Sequence, residues 1–274
     1  MITKQLTQLL LSFAILPIMI QPAFAHSMYF GNRGDNIPLL FGHPEEGEDS
    51  VIPYTPSTVK QLTGFDVTGA TIPVEINNLP GGISVVPNKD LAALTAFVDR
   101  GFYVVTSDNE YLNIPKYEAT TPYTQAFRSY NYPKSLYKWS DAIDQSLGLD
   151  FEIVPLQNPF EVASGNNLDV QVLFQGTLLK EVLVEYRGQA VPDSNNDGIF
   201  SIPWTQKGLK TIEASFSIPL ANDPEIDELS YSASLSVQGV PEPGSLISLG
   251  AFAFLAFASK SKFNRTSQGV LAKK

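Results

Sequence analysis

Cysteine is missing from all 274 residues, which excludes disulfides, thiolate metal sites and thiol nucleophiles together. Any bound metal must then be held by nitrogen and oxygen. Histidine is nearly as scarce, with two copies, His26 and His43. The sequence also lacks Gly-x-Ser-x-Gly, His-Glu-x-x-His and a phosphate-cradling glycine loop. With two imidazoles and no thiol, the common general bases and nucleophiles are few, so a non-enzymatic protein is expected. Positive charge is in deficit: 18 Lys and Arg stand against 28 Asp and Glu, a net charge of −10. A surface of that sign repels nucleic acid and attracts cations. No nucleic-acid partner is expected.

Both ends depart from globular composition. Residues 1–25 hold Lys4, an apolar stretch from Leu9 to Ile20, and then Pro22-Ala23-Phe24-Ala25. A charged start, a short apolar centre and a small-x-small close form a signal peptide, cut after Ala25 by signal peptidase. The cut makes His26 the new N-terminus. At the other end, Pro241-Glu242-Pro243 precedes an apolar segment, expected as a helix over 245–259, and then Lys260, Lys262 and Arg265. About 15 apolar residues are marginal for a membrane span, and the basic flank is what the cytoplasmic side retains. In that order the three parts resemble the PEP-CTERM sorting tail, over 239–265. The resemblance implies an exosortase-type sorting enzyme as partner, transient membrane anchoring and transfer to the cell surface. Between the two ends, residues 26–240 carry 12 basic and 27 acidic side chains, as suits an exported, periplasmic or outer-surface body.

That body reads as mainly β. Residues 26–148 are expected as a loop-rich N-terminal β domain, with strand-like runs at Ile37–Phe41, Ala70–Ile76, Gly101–Thr106 and Tyr111–Ile114 and a turn at Pro80-Gly81-Gly82. Two helices are expected within it. Lys89–Val98 follows Asn88 as N-cap and puts Leu91, Leu94 and Val98 on one face; Tyr137–Leu147 follows the same logic with Ser140 or Asp141 as cap. Residues 149–238 alternate cleanly, with strands at Leu168–Phe174, Val182–Tyr186, Ile199–Ile202, Lys210–Ser217 and Leu229–Val237. Gln175-Gly176 and Asn196-Asp197-Gly198 supply hairpin turns. This spacing predicts an antiparallel β-sandwich of immunoglobulin or transthyretin type.

Several segments occur together in a known order: His26, Gly42-His43, Arg128-Ser129-Tyr130 with Lys134, Leu149–Pro155 (LDFEIVP), Leu156–Pro159 (LQNP), Val172–Gly176 and Asp193–Gly198. With them the chain resembles a bacterial domain family of unknown function formerly labelled NikM-like. The resemblance implies a two-part β architecture, an envelope location and an association with nickel or cobalt uptake, with a metal transporter as partner.

The residues themselves offer a metal site at His26, His43, Glu45 and Glu46, with Glu48 and Asp49 beside them. On a cleaved chain the α-amine, with a pKa near about 8, and the imidazole, near about 6.5, can chelate one ion together. His43 adds a nitrogen and the acids add oxygen, a set suited to divalent Ni, Co, Cu or Zn. The same residues also read as a frayed terminus, a turn before Pro44 and a solvated acidic loop. Asp193, Asn195 and Asp197 match the first half of a calcium loop, but position twelve is Trp204 where a bidentate Glu is needed; a polar hairpin tip is the alternative. Tyr130, Tyr132, Tyr137 and Trp139, interleaved with Arg128, Lys134 and Lys138, could stack sugar rings of an extracellular polysaccharide or simply pack. The functional expectation is a protein that binds divalent transition metal and assists its uptake. The alternative is a structural or polysaccharide-binding surface protein.

Overall fold

The computed structural model describes residues 26–46, 50–205 and 208–238. The segment expected as a signal peptide, 1–25, Glu48, Asp49, the expected sorting motif Pro241, Glu242 and Pro243 and the apolar segment 245–259 lie outside the described residues. The described chain is mainly β and sandwich-like, with seventeen strands. They are β1 Ser27–Phe30, β2 Ile37–Gly42, β3 Val59–Phe65, β4 Thr71–Ile72, β5 Glu75–Leu79, β6 Gly82–Val86, β7 Ala93–Thr106, β8 Tyr111–Leu112 and β9 Tyr123–Leu136. After them come β10 Phe151–Pro155, β11 Asn167–Phe174, β12 Thr177–Leu178, β13 Leu183–Tyr186, β14 Gln189–Ala190, β15 Ile199–Pro203, β16 Leu209–Pro219 and β17 Glu228–Gln238.

These strands build three sheets. A large one runs β14-β13-β16-β17-β9-β7-β3-β4, with β8 on β7; a four-stranded sheet runs β1-β2-β6-β5; another joins β10, β11, β12 and β15. The side-chain period of two assigns the faces of the large sheet. On β17, Ala233, Leu235 and Val237 enter one core with Phe151, Ile153, Val170 and Val172 of the β10–β11 sheet. The intervening Ser234 donates its hydroxyl to the Met28 carbonyl of β1, 2.7 Å away. On β7, Leu94, Ala96 and Val98 pack with Met28, Phe30, Ile37 and Leu39. The large sheet is therefore a middle layer, covered on one face by the β1 sheet and on the other by the β10 sheet.

The break expected near Gly148 falls between β9 and β10, and the middle layer crosses it. β9 lies beside β17 over ten residue pairs, from Phe127–Glu228 to Leu136–Val237. This pair is parallel, so β17, expected within an antiparallel sandwich over 149–238, takes a parallel neighbour from the first half; every other pair among the described strands is antiparallel.

Neither expected helix forms. In place of Lys89–Val98, Asn88 caps a tight turn, accepting from the Asp90 amide at 3.1 Å, and β7 starts at Ala93. The misreading has a clear cause. A strand covered on both faces needs apolar residues at odd and even positions alike, and such a run imitates helical spacing. The Tyr137–Leu147 segment makes one turn, in which Ile143 and Asp144 donate to the Ser140 carbonyl, and goes no further. Its apolar residues serve different cores, Tyr137 on the β1 side and Ile143 on the β10 side. The run expected at Ala70–Ile76 is split into β4 and β5 around Pro73, which has no amide for a ladder. The hairpin at Gln175-Gly176 forms as expected, with φ of 50° and 75° at the two turn residues, as a primed two-residue turn requires. Among the described residues no helix is long and apolar enough to cross a membrane.

Candidate functional site

The β1–β2 hairpin brings the two histidines together. Its antiparallel register pairs Ser27 with Gly42, so the next step outward sets His26 against His43. Cross-strand neighbours of this kind stand about 5 Å apart at Cβ. The two imidazole rings lie 4.2 Å apart between centroids, tilted by 52°, and His26 also meets the Phe41 ring at 5.6 Å. Glu45 Oε1 is 3.6 Å from His43 Nδ1. The pKa of His26 is lowered, by burial first, then by His43 and Arg100, against the opposing fields of Glu46 and Glu45. The shift favours the neutral ring, the state in which imidazole nitrogen binds metal.

Two further acids stand near, and sequence reading passed over both. Glu185 on β13 and Glu213 on β16 are ladder partners, and Glu45 raises the pKa of each. Burial is the larger cause in both cases, and Glu213 reaches about 7. Glu45, Glu185 and Glu213 thus form a crowded, partly desolvated patch of negative potential next to the histidine pair. Among the described residues, no three His, Asp or Glu side chains converge closely enough to enclose a metal ion by themselves. The α-amine of a chain beginning at His26 would add a nitrogen donor to His26, His43 and Glu45. Glu46 acts on His26 through its charge.

The acidic loop between β14 and β15 spends its oxygens on itself. The two carboxylate oxygens of Asp193 accept from the amides of Asp197 (3.1 Å) and Gly198 (2.7 Å), and Asp197 accepts from Ile199 at 2.9 Å. Desolvation alone would raise the pKa of Asp193, but the amides of residues 195–198 lower it on balance. Ser201 donates to Asp169 at 2.6 Å. Trp204 is a buried anchor whose indole N–H donates to the Pro159 carbonyl at 2.9 Å. We read this loop as a self-capped turn that crosses between sheets, not the hairpin expected at Asn196-Asp197-Gly198, because β14 pairs with β13 and β15 with β11. Millimolar calcium is expected to leave the melting temperature unchanged. Asp193→Ala is expected to lower it slightly and expose the loop to protease, and a clear calcium-induced rise in melting temperature would refute this reading.

The aromatic stretch is divided between layers. Tyr130 and Tyr132 join Phe97 and Tyr231 on the β10 side, with centroids 5.2 to 6.4 Å apart. Tyr137 is partly buried on the other side, under the Arg33 guanidinium at 5.1 Å. Lys134 is wholly buried and paired with Glu152 at 2.7 Å.

The fold and this site define a layered all-β protein with a histidine pair at the mouth of its first hairpin. The chain belongs to the family described as Domain of unknown function (DUF4198), whose model matches residues 24–217. Comparison with curated proteins gives no match.

Proposed function

We propose that this is a non-enzymatic, exported envelope protein that holds a divalent transition metal of nickel or cobalt type and assists its uptake. The observation that carries the reading is the histidine pair. The only two imidazoles in 274 residues meet at 4.2 Å, with Glu45 beside them. Cleavage after Ala25 would place an amine on His26 itself, and the acidic patch of Glu185 and Glu213 would raise the local cation concentration. The resemblance to the NikM-like label and the PEP-CTERM-like tail support the envelope location, and delivery would be to a metal transporter.

Titration of protein beginning at His26 with Ni(II) and Co(II) tests this. One ion per chain is expected, with affinity falling about tenfold or more in His43→Ala and in a form with one residue added before His26. Because the pKa of His26 is lowered from 6.5, binding is expected to persist below pH 6.5 before protonation releases the ion. Equal binding by all three forms would sink the proposal.

A second reading is a matrix protein that stacks sugar rings. It is favoured by the partly buried aromatic row of Phe97, Tyr130, Tyr231 and Phe216 across the middle layer, continued by Phe174 of the β10 sheet. Retention on extracellular polysaccharide that disappears in Tyr231→Ala, with no metal uptake at the histidines, would select it.

A further inference from the structure

The β1 sheet covers only part of its face of the middle layer, and the uncovered part is a cavity of about 280 Å³. The serine row of β17 shows where cover stops. Ser234 lies under β1 and bonds the Met28 carbonyl. Ser232 and Ser230, two and four residues earlier, line the cavity with Ser129 and Asn131 of the neighbouring β9. His26 stands at its edge, and Phe41, Tyr103 and Phe127 form apolar walls, the last two stacked at 5.5 Å.

Among the described residues Arg100 is the only Lys or Arg lining the cavity, and a defect in the ladder puts it there. β7 pairs Asp99 with Tyr130 and Gly101 with Ser129, which leaves Arg100 as an extra residue without a ladder partner. Gly101 takes φ of +83°, a conformation that a side chain would strain, and the bulge lets Arg100 and Tyr103 share the face of Val98. The guanidinium carbon sits 3.3 Å from the Phe41 centroid and 5.4 Å from that of Tyr103. Among the described residues no carboxylate comes within ion-pair distance of Arg100. Burial accordingly makes its charge costly, lowering its pKa. The fold keeps a desolvated cation facing a cavity with ring contacts as its compensation, and ring contacts replace only part of what an anion supplies.

The floor is polar. Asn131, 3% exposed, donates to Ser129 Oγ at 3.0 Å, and both residues line the cavity. Ser230 is 5% exposed and sits in the same floor. Buried polar groups of this kind are normally satisfied by protein, water or ligand.

We propose that this cavity is a binding site for a small organic monocarboxylate with an apolar or aromatic body. The planar fork of Arg100 receives the carboxylate, the aromatic walls hold the body, and the Asn131 and Ser230 side chains bond polar substituents. The volume is about twice the 150 Å³ or so known to hold benzene, which suits a single substituted ring. A monoanion is favoured over phosphate because a single cation lines the cavity and Glu45 and Glu46 act on His26 at its edge.

The test is calorimetric titration of the full chain in EDTA, so that no metal contributes. Phenylacetate is expected to bind one per chain. Phenylacetamide and inorganic phosphate should bind at least about tenfold more weakly, and Arg100→Gln should weaken phenylacetate about ten- to hundredfold, as loss of a hydrogen-bonded charge partner does. Should Arg100→Gln fold poorly, Asn131→Asp keeps the arginine and places a competing carboxylate in the cavity; it should abolish phenylacetate binding. Absence of phenylacetate binding at millimolar concentration overturns the proposal. So does equal binding of acid and amide, or unchanged affinity in the variants.

Discussion

Lys134→Met is expected to destabilise the protein by about 3–5 kcal/mol, read by urea unfolding at neutral pH, because it leaves a buried carboxylate without its cation. Lys134 and Glu152 are both 0% exposed. Lys134 Nζ donates to Glu152 Oε1 at 2.7 Å. The other carboxylate oxygen accepts from Ser146 Oγ at 2.7 Å, and the Leu147 amide reaches both oxygens at 2.9 and 3.1 Å. Desolvation alone would raise the pKa of Glu152. The Lys134 charge, the Leu147 amide and the Ser146 hydroxyl outweigh it, and the pKa ends below 4.5. A carboxylate with a depressed folded pKa contributes stability above its unfolded value and loses it as pH falls through the folded one. In Lys134→Met that contribution should vanish and the acid limb of the stability curve should move to higher pH. Removing both charges, as in Lys134→Met with Glu152→Leu, should recover part of the loss. A single-variant loss under about 1 kcal/mol would show that the carboxylate finds other compensation.

Glu213→Gln is expected to act in the opposite direction, stabilising the protein by roughly 2–3 kcal/mol at pH 8 and by nearly nothing at pH 4. Burial is the main reason its pKa rises from 4.5 to about 7, and Glu45 and Glu185 add to it. The folded state therefore binds the proton more tightly than the unfolded state. No penalty applies below pH 4.5; it grows between 4.5 and 7 and is complete above 7. Wild type should lose stability across that window and Glu213→Gln should not. If Ni(II) binds at His26, His43 and Glu45, it should flatten the wild-type slope by neutralising the charge that Glu45 projects onto Glu213. A slope unchanged by the substitution would place the carboxylate in water.

The strands of the second half were legible because each alternates between an apolar core and a polar face. That same clarity concealed the third layer. Glu185 and Glu213 stand at positions that alternation assigns to solvent, and only the β1 sheet turns that face into an interior. The histidine pair was within reach of the sequence, since the β1–β2 register aligns residues 26 and 43 once the hairpin is recognised. The helix expected at Lys89–Val98 failed where a strand is buried on two sides and periodicity loses its meaning. Lys134 and Glu152 were visible only as members of separate segments; nothing local marks a lysine as fully buried. Arg100 depends on a bulge whose one trace in the sequence is the glycine that follows it.

The pairing of β9 with β17 has a kinetic consequence. The central seam of the molecule joins residues about 100 positions apart, as the Ser135 to Ser236 hydrogen bond illustrates. Until the final strand is available, β16 and β9 each present a bare hydrogen-bonding edge, and the two cores on either side of the seam stay incomplete. Closure of so distant a contact is slow compared with local hairpin formation. An emerging polypeptide therefore stays open and chaperone-accessible for most of its synthesis, and a fragment ending at residue 217 should be captured by proteases and by its own kind instead of maturing.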